Sequence, residues 1–275
     1  MAVFELENLT WEDLDKLDRC KTIVFLPISP LEEHGPQLPI GTDFIAARDM
    51  AKFAAQIMET DDSSFSYVIH PGIPIGCAGF TADFPGTLSI GGKAMMQVVT
   101  DSCVSLARHG FRFVIISNHH YEPAHVKAIK TAIDKVMQRF TIKIADPLSV
   151  AAYSGPVAAT DIDLDLSRES HADFEETSFI KFKHPELLKD IYRELPQVHV
   201  NFAVRYLAGG HTLRSMGAIR GYVGSPAWAT SEYGKSYFES RSQLLAESAF
   251  KLYRNEKLPQ MSLKMKALLN LVMLS

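Results

Sequence analysis

Cysteine, tryptophan, excess positive charge and long apolar runs are all scarce in this 275-residue chain, and each scarcity excludes a class of function. The three cysteines, Cys20, Cys77 and Cys103, are odd in number and widely scattered, so they form no disulfide framework and point to a reducing compartment. Lys and Arg (28) are outnumbered by Asp and Glu (32), for a net charge of −4, which removes the electrostatic case for nucleic-acid binding. No apolar run reaches membrane-spanning length, and the start, Met1 to Glu5, lacks the basic and apolar regions of a signal peptide; the expected location is cytoplasmic. No Ser/Gly/Pro-rich linker, internal repeat or low-complexity segment divides the sequence. Although the length permits one or two domains, a single domain over residues 1–275 is expected, because the polar motifs must converge. A helical extension over 259–275 would follow Pro259. Its apolar stripe of Met265, Leu268, Leu269, Val272 and Met273 suits either a subunit contact or packing on the chain's own core.

What is present is a set of carboxylates and imidazoles in three short segments. In the first, Glu32 and His34 follow the strand-like run Thr22 to Leu26, and side chains two apart on an extended chain share a side. Gly35, Pro36, Pro39 and Gly41 then punctuate a loop that returns Asp43 toward the same place before a helical pattern from Phe44 to Met58. Asp43 could equally serve only as a helix cap. The second segment, Ser117 to Glu122, lies between the buried run Phe111 to Ile116 and a helical pattern after Pro123. That order places His120 and Glu122 at the carboxyl edge of a parallel sheet, where ligands collect in open α/β folds. The third, with His171, Asp173, Glu175 and Glu176, reads as a loop entering a helix, whose first turn favours acidic residues.

Strand-length runs (Thr22 to Leu26, Ser66 to Ile69, Phe111 to Ile116, Thr141 to Ala145) alternate with helical stretches, including Lys93 to Arg108 and Tyr233 to Tyr253. The expected fold is an α/β three-layer α/β/α sandwich with a mostly parallel central sheet. No Gly-rich phosphate loop or concentrated Arg/Lys set accompanies it, which weighs against a two-metal phosphoesterase.

With these residues in view, the chain resembles the creatininase family of metal-dependent amidohydrolases. Glu32-Glu33-His34-Gly35-Pro36, Leu38-Pro39 and Thr42-Asp43 resemble the family's first motif, Phe84 to Ser89 its Phe-Pro-Gly-Thr-Leu-Ser block, and Asn118 to Glu122 its Asn-Gly-His-Tyr-Glu, with His119 in place of glycine. His171-Ala172 and Glu176-Thr177-Ser178 resemble the third motif, with Asp173 where glycine is usual. Gly221 to Pro226 resembles the closing block, with Ser225 in place of aspartate.

The resemblance implies two divalent metal ions, zinc or manganese, held by Glu32, Asp43 and His120 and by His34, Asp43 and Glu122, with Asp43 bridging and Glu176 competing with Glu122 for the last position. It implies that His171 shuttles protons at the catalytic site together with Glu176, that the substrate is a small-molecule cyclic amide or formamide, and that the chain is a homo-oligomer, hexameric in the family. Creatinine itself is disfavoured. Tryptophans between the second and third motifs sandwich that ring, and this chain has only Trp11 and Trp228, leaving Tyr153 or Phe174 to line the pocket. His119 is expected to hydrogen-bond behind the metals or line the entrance, and Asp173 to cap a helix. The alternative is a metal-binding scaffold of this family that acts as a non-catalytic binding subunit.

Overall fold

The computed structural model describes residues 3–153 and 164–274. Five strands, β1 (Val3–Glu5), β2 (Thr22–Pro27), β3 (Ser66–Ile69), β4 (Phe113–Ser117) and β5 (Lys143–Ala145), form one sheet in the order β1-β3-β2-β4-β5. Every neighbouring pair is parallel, with Ile23 beside both Tyr67 and Phe113 in register. Interior strands of such a sheet are covered on both faces, and β2 is accordingly buried at all six positions.

Among the described residues, ten α-helices accompany the sheet. They are α1 (Trp11–Asp15), α2 (Thr42–Asp61), α3 (Gly92–Arg108), α4 (Pro123–Arg139), α5 (Pro147–Ala152), α6 (Phe174–Lys183), α7 (Phe202–Leu207), α8 (Leu213–Met216), α9 (Ser231–Tyr253) and α10 (Leu263–Leu271). Strand side chains alternate between faces, and the two cores follow that alternation. Ile23, Phe25, Tyr67 and Ile115 pack against α2, α6 and α9. Val24, Leu26, Val68, Val114 and Ile116 pack against α3 and α4, which present Met95, Val99, Cys103, Ile129 and Val136 at helical spacing. This is the expected three-layer sandwich.

The layering decides where a site can form. β2 leads into α2 on one face, whereas its neighbour β4 leads into α4 on the other. The loops leaving these adjacent strands therefore diverge, opening a crevice at their carboxyl ends.

The described structure corrects several boundaries. β4 and β5 each start two residues later than the apolar runs suggest, and α2 extends at both ends. The strand β1 was not anticipated. In the tail, α10 begins at the Ser262 cap, whose hydroxyl accepts from the Met265 amide at 3.2 Å. Of the stripe, Leu269 is buried while Leu268 and Met273 are exposed. Lys127 on α4 donates to the carbonyls of Val272 and Asn270 at 2.5 and 3.3 Å, tying the tail to its own chain. No helix among the described residues is long and apolar enough to cross a membrane.

Candidate metal centre

Glu32 and His34 lie in the loop that leaves β2, Asp43 in the first turn of α2, His120 in the loop between β4 and α4, His171 in the segment before α6 and Glu176 in the first turn of α6. Gly41, not Asp43, occupies the α2 cap position, and Asp43 is buried instead among the imidazoles. Its Oδ2 is 3.1 Å from His120 Nδ1, and its Oδ1 is 3.4 Å from His34 Nε2 and 3.2 Å from His119 Nδ1. Glu32 Oε2 lies 2.7 Å from His120 Nδ1, and Glu176 Oε2 lies 3.6 Å from His34 Nε2. Among the described residues, three groups of donor atoms result: Glu32, Asp43 and His120; His34, His171 and Glu176; and Asp43, His119 and Glu176.

Backbone carbonyls orient three of the rings. His34 Nδ1 donates to the Glu32 carbonyl at 2.9 Å, His120 Nε2 to that of Cys77 at 2.7 Å, and His171 Nε2 to that of Glu33 at 2.9 Å. A carbonyl can only accept, so each anchored nitrogen carries a proton, and the other nitrogen faces the cluster, where it can hold a second proton or offer a lone pair to a cation. Metal-binding histidines are held in this way. Among the described residues, buried Glu32 Oε2 and His34 Nε2 face only the ionisable groups of the cluster itself, His120 Nδ1 for the one and Asp43 and Glu176 for the other. Lone pairs facing carboxylate oxygens call for a proton or a cation between them, and the mixed imidazole and carboxylate donors suit zinc or manganese.

The electrostatics agree. Burial alone would raise the Glu32 carboxyl, but the charge on His120 and His171 holds it at about 2. Burial likewise opposes ionisation of Asp43, yet His34 and the hydrogen bonds from His119 and His120 hold it well below the carboxylate range. Burial disfavours protonated His34 and His120, but Asp43 and Glu176 around the one, and Glu32 and Asp43 around the other, raise both well above the ordinary histidine value. Burial and His34 push His171 down, and Glu32 with Glu33 outweighs them to raise it.

Glu122 stands outside these groups: its Oε2 accepts from the Phe80 amide at 3.1 Å, while burial raises its carboxyl. Glu176, read from sequence as catalytic and as the competitor of Glu122, instead has both carboxylate oxygens among the imidazoles, 3.6 Å from His34 Nε2 and 4.0 Å from His119 Nδ1. The turn before α6 puts it there. Ala172 adopts φ 46°, a left-handed conformation unfavourable for alanine. It is held because its amide donates to Glu176 Oε2 at 2.7 Å and its carbonyl accepts from Gln37 Nε2 at 2.7 Å. Asp173 caps α6, accepting from the Glu176 amide at 3.0 Å.

The other motif residues build the frame. Asn118 Oδ1 accepts from the His120 amide and from His125 Nε2, at 3.0 and 3.2 Å, and its Nδ2 donates to the His120 carbonyl at 2.7 Å. Thr87 accepts from the Glu33 amide at 3.1 Å, and Ser225 donates to Glu169 Oε1 at 2.8 Å, a contact that an aspartate there would turn into repulsion. Thr81, which donates to Glu32 Oε1 at 2.7 Å, and Tyr237, whose hydroxyl lies 2.8 Å from His119 Nε2, were not anticipated. Tyr237 and Arg241 stand one turn apart on the buried side of α9. A tyrosine and an arginine at that spacing within an apolar helix face is the signal that would have flagged them.

A cavity of about 980 Å³ opens beside the cluster. Phe80, Tyr121, Tyr153, Phe202 and Tyr237 supply its aromatic wall. Tyr153 is thus where it was expected, whereas Phe174 is fully buried in the core. Trp11 and Trp228 are 74% and 53% exposed and do not line the cavity.

A family model described as creatininase, creatinine amidohydrolase, matches residues 7–249. The chain is 28% identical to a creatinine amidohydrolase from Pseudomonas putida over 121 residues, 42% of this chain and 44% of that protein; the match thus spans less than half of that relative's length. It is 26% identical to a 3-dehydro-scyllo-inosose hydrolase from Thermotoga maritima over 254 residues, 82% of this chain and 76% of that protein. Among solved structures, one described as "Creatininase Mn" superimposes with a TM-score of 0.69 at 22% identity, covering 90% of this chain and 97% of the other.

Proposed function

The chain belongs to the creatininase family, and on that premise we propose that it is a metal-dependent amidohydrolase that uses two divalent cations to cleave a cyclic amide or formamide C–N bond. The observation that carries this reading is the division of Asp43, one oxygen toward His120 and the other toward His34. Glu32, Asp43 and His120 would hold one ion, and His34, Asp43 and Glu176 the other, with Asp43 bridging. Glu176 takes the last position in this assignment because its oxygens stand 3.6 Å from His34 Nε2 and 4.0 Å from His119 Nδ1, whereas Glu122 lies outside the groups of donor atoms. The donor set suits manganese or zinc, and a structural neighbour is described as a manganese form.

A pair of such ions, when bound, lowers the pKa of a water and polarises a carbonyl. The chain's own residues do the rest. His171 lines the cavity with Nε2 fixed on the Glu33 carbonyl, leaving Nδ1 to accept the proton of the attacking water. The water oxygen adds to the amide carbon, the C–N bond breaks, and His171 returns the proton to the leaving nitrogen. Thr81 and Asn118 hold Glu32 and the His120 loop in place meanwhile.

The test is metal content by inductively coupled plasma mass spectrometry, with hydrolysis assays on creatinine and on formamides in added zinc or manganese. Two ions per chain and amide turnover are expected. Bound metal without any turnover would favour the non-catalytic subunit, and turnover of phosphate esters alone the two-metal phosphoesterase. This reading includes one domain over the whole chain and a homo-oligomer of the family's kind, which light scattering checks.

A further inference from the structure

The cavity beside the metal cluster also holds a buried cation. Arg241, one turn after Tyr237 on α9, is 4% exposed and lines the cavity with its guanidinium 4.4 Å from the centroid of the Tyr237 ring. Among the described residues, the one carboxylate that reaches it is Glu175, whose Oε2 stands 4.0 Å from Nη2 and whose Oε1 is taken by the Tyr233 hydroxyl. Arg241 Nε and Nη1 have no hydrogen-bond partner among the described residues, and neither does the buried hydroxyl of Tyr121, which lines the same cavity. A phenol hydroxyl is a hydrogen-bond donor near neutral pH.

Open donors on a buried guanidinium are costly unless an acceptor completes them. We propose that Arg241 and Tyr121 form a carboxylate subsite, so that the substrate is an amide or formamide bearing a carboxylate away from the scissile bond. The planar guanidinium matches a carboxylate in shape and charge. The surroundings argue for a single negative charge over a phosphate's two, because Glu169, Asp173, Glu175 and Glu176 line the same cavity. A neutral substrate would leave the same donors unpaired. The hydrolytic half of this inference rests on the proposed function, but the binding half does not.

The experiment compares N-formylglycine with its neutral counterpart N-formylglycinamide on the full-length, metal-loaded protein. Hydrolysis of the acid yields formate and glycine: water adds to the formyl carbon, the C–N bond breaks and the proton goes to the glycine nitrogen. Both kcat/KM and, by titration calorimetry, Kd are measured for the wild type, Arg241→Gln and Tyr121→Phe, with thermal melts to establish folding.

The wild type is expected to prefer the acid by about ten- to a hundredfold, the range of a charge-assisted hydrogen bond. Arg241→Gln should abolish that preference mainly through KM, and Tyr121→Phe should reduce it severalfold with an unchanged melting temperature. If neither compound is turned over, yet the acid binds the wild type and not Arg241→Gln, the subsite stands and the amidohydrolase reading falls. If Arg241→Gln does not fold, Tyr121→Phe and Arg241→Lys decide by the same ratio. A wild type that does not discriminate between the compounds, including one that binds neither, or folded variants that keep the preference, would overturn the proposal.

Discussion

Asp43 divides its two oxygens between His120 and His34, so its removal should strike both proposed ions at once. Asp43→Ala is expected to take metal content from two ions per chain to none, measured by mass spectrometry after dialysis. Retention of one ion would show that Asp43 does not bridge. His171→Ala should keep both ions while kcat falls by about 10²–10⁴, the usual reach of a general acid–base group. Glu176→Gln should lose one ion, whereas Glu122→Gln should keep two, and the reverse result would return Glu122 to the ligand set. The sequence does not separate the two glutamates, since both stand at loop-to-helix junctions. What separates them is local: the strained Ala172 turn folds Glu176 back over its own loop, while the Phe80 amide draws Glu122 away.

Helix α6 carries Glu176 and α9 carries Tyr237 and Arg241, and the two meet at Gly234. A Cβ on Gly234 would stand 1.9 Å from the Ser178 carbonyl oxygen, backbone that cannot yield without separating the helices. Gly234→Ala is therefore expected to cost about 1–3 kcal/mol or more. It should also weaken metal binding, since Glu176 and the Tyr237–His119 contact would shift together. Chemical denaturation alongside metal titration checks both, and unchanged stability would show that the helices can part freely. The long elements were plain in the sequence because their patterns are strong. Met95, Val99, Cys103 and Leu106 mark one face of α3, and β2 is an unbroken apolar run. The strand β1 escaped because its three residues are half-buried at the sheet's edge, too short to show a period. The pairing of Tyr237 with His119 escaped because it joins residues 118 apart, and no local pattern encodes a contact between separate elements.

Across the whole molecule, the cluster ties stability to pH and to metal. In the metal-free fold His34 and His120 hold protons well above 6.5. A raised folded-state pKa contributes stability that is complete below the unfolded value of about 6.5 and is lost as pH climbs through the folded value. Glu32, held at about 2, contributes above its unfolded value of about 4.3 and loses that contribution as pH falls toward 2. The cluster therefore favours the metal-free fold most at about pH 4.5–6.5 and less above. A cation bound there would replace the histidine protons, so binding should release protons and tighten as pH rises. Melting temperatures with and without a chelator, from mildly acidic conditions to about pH 9, should diverge as pH increases. Parallel curves would contradict the linkage.

The anchoring of His34, His120 and His171 on the carbonyls of Glu32, Cys77 and Glu33 has an evolutionary consequence. A carbonyl is common to every amino acid, so side chains along those loops can drift without unseating the rings, provided the backbone path is kept. Divergence of the cavity wall is thereby uncoupled from upkeep of the ligands. A chain built this way can exchange one substrate for another by altering residues such as Tyr153 or Phe202 while its imidazoles stay where they are.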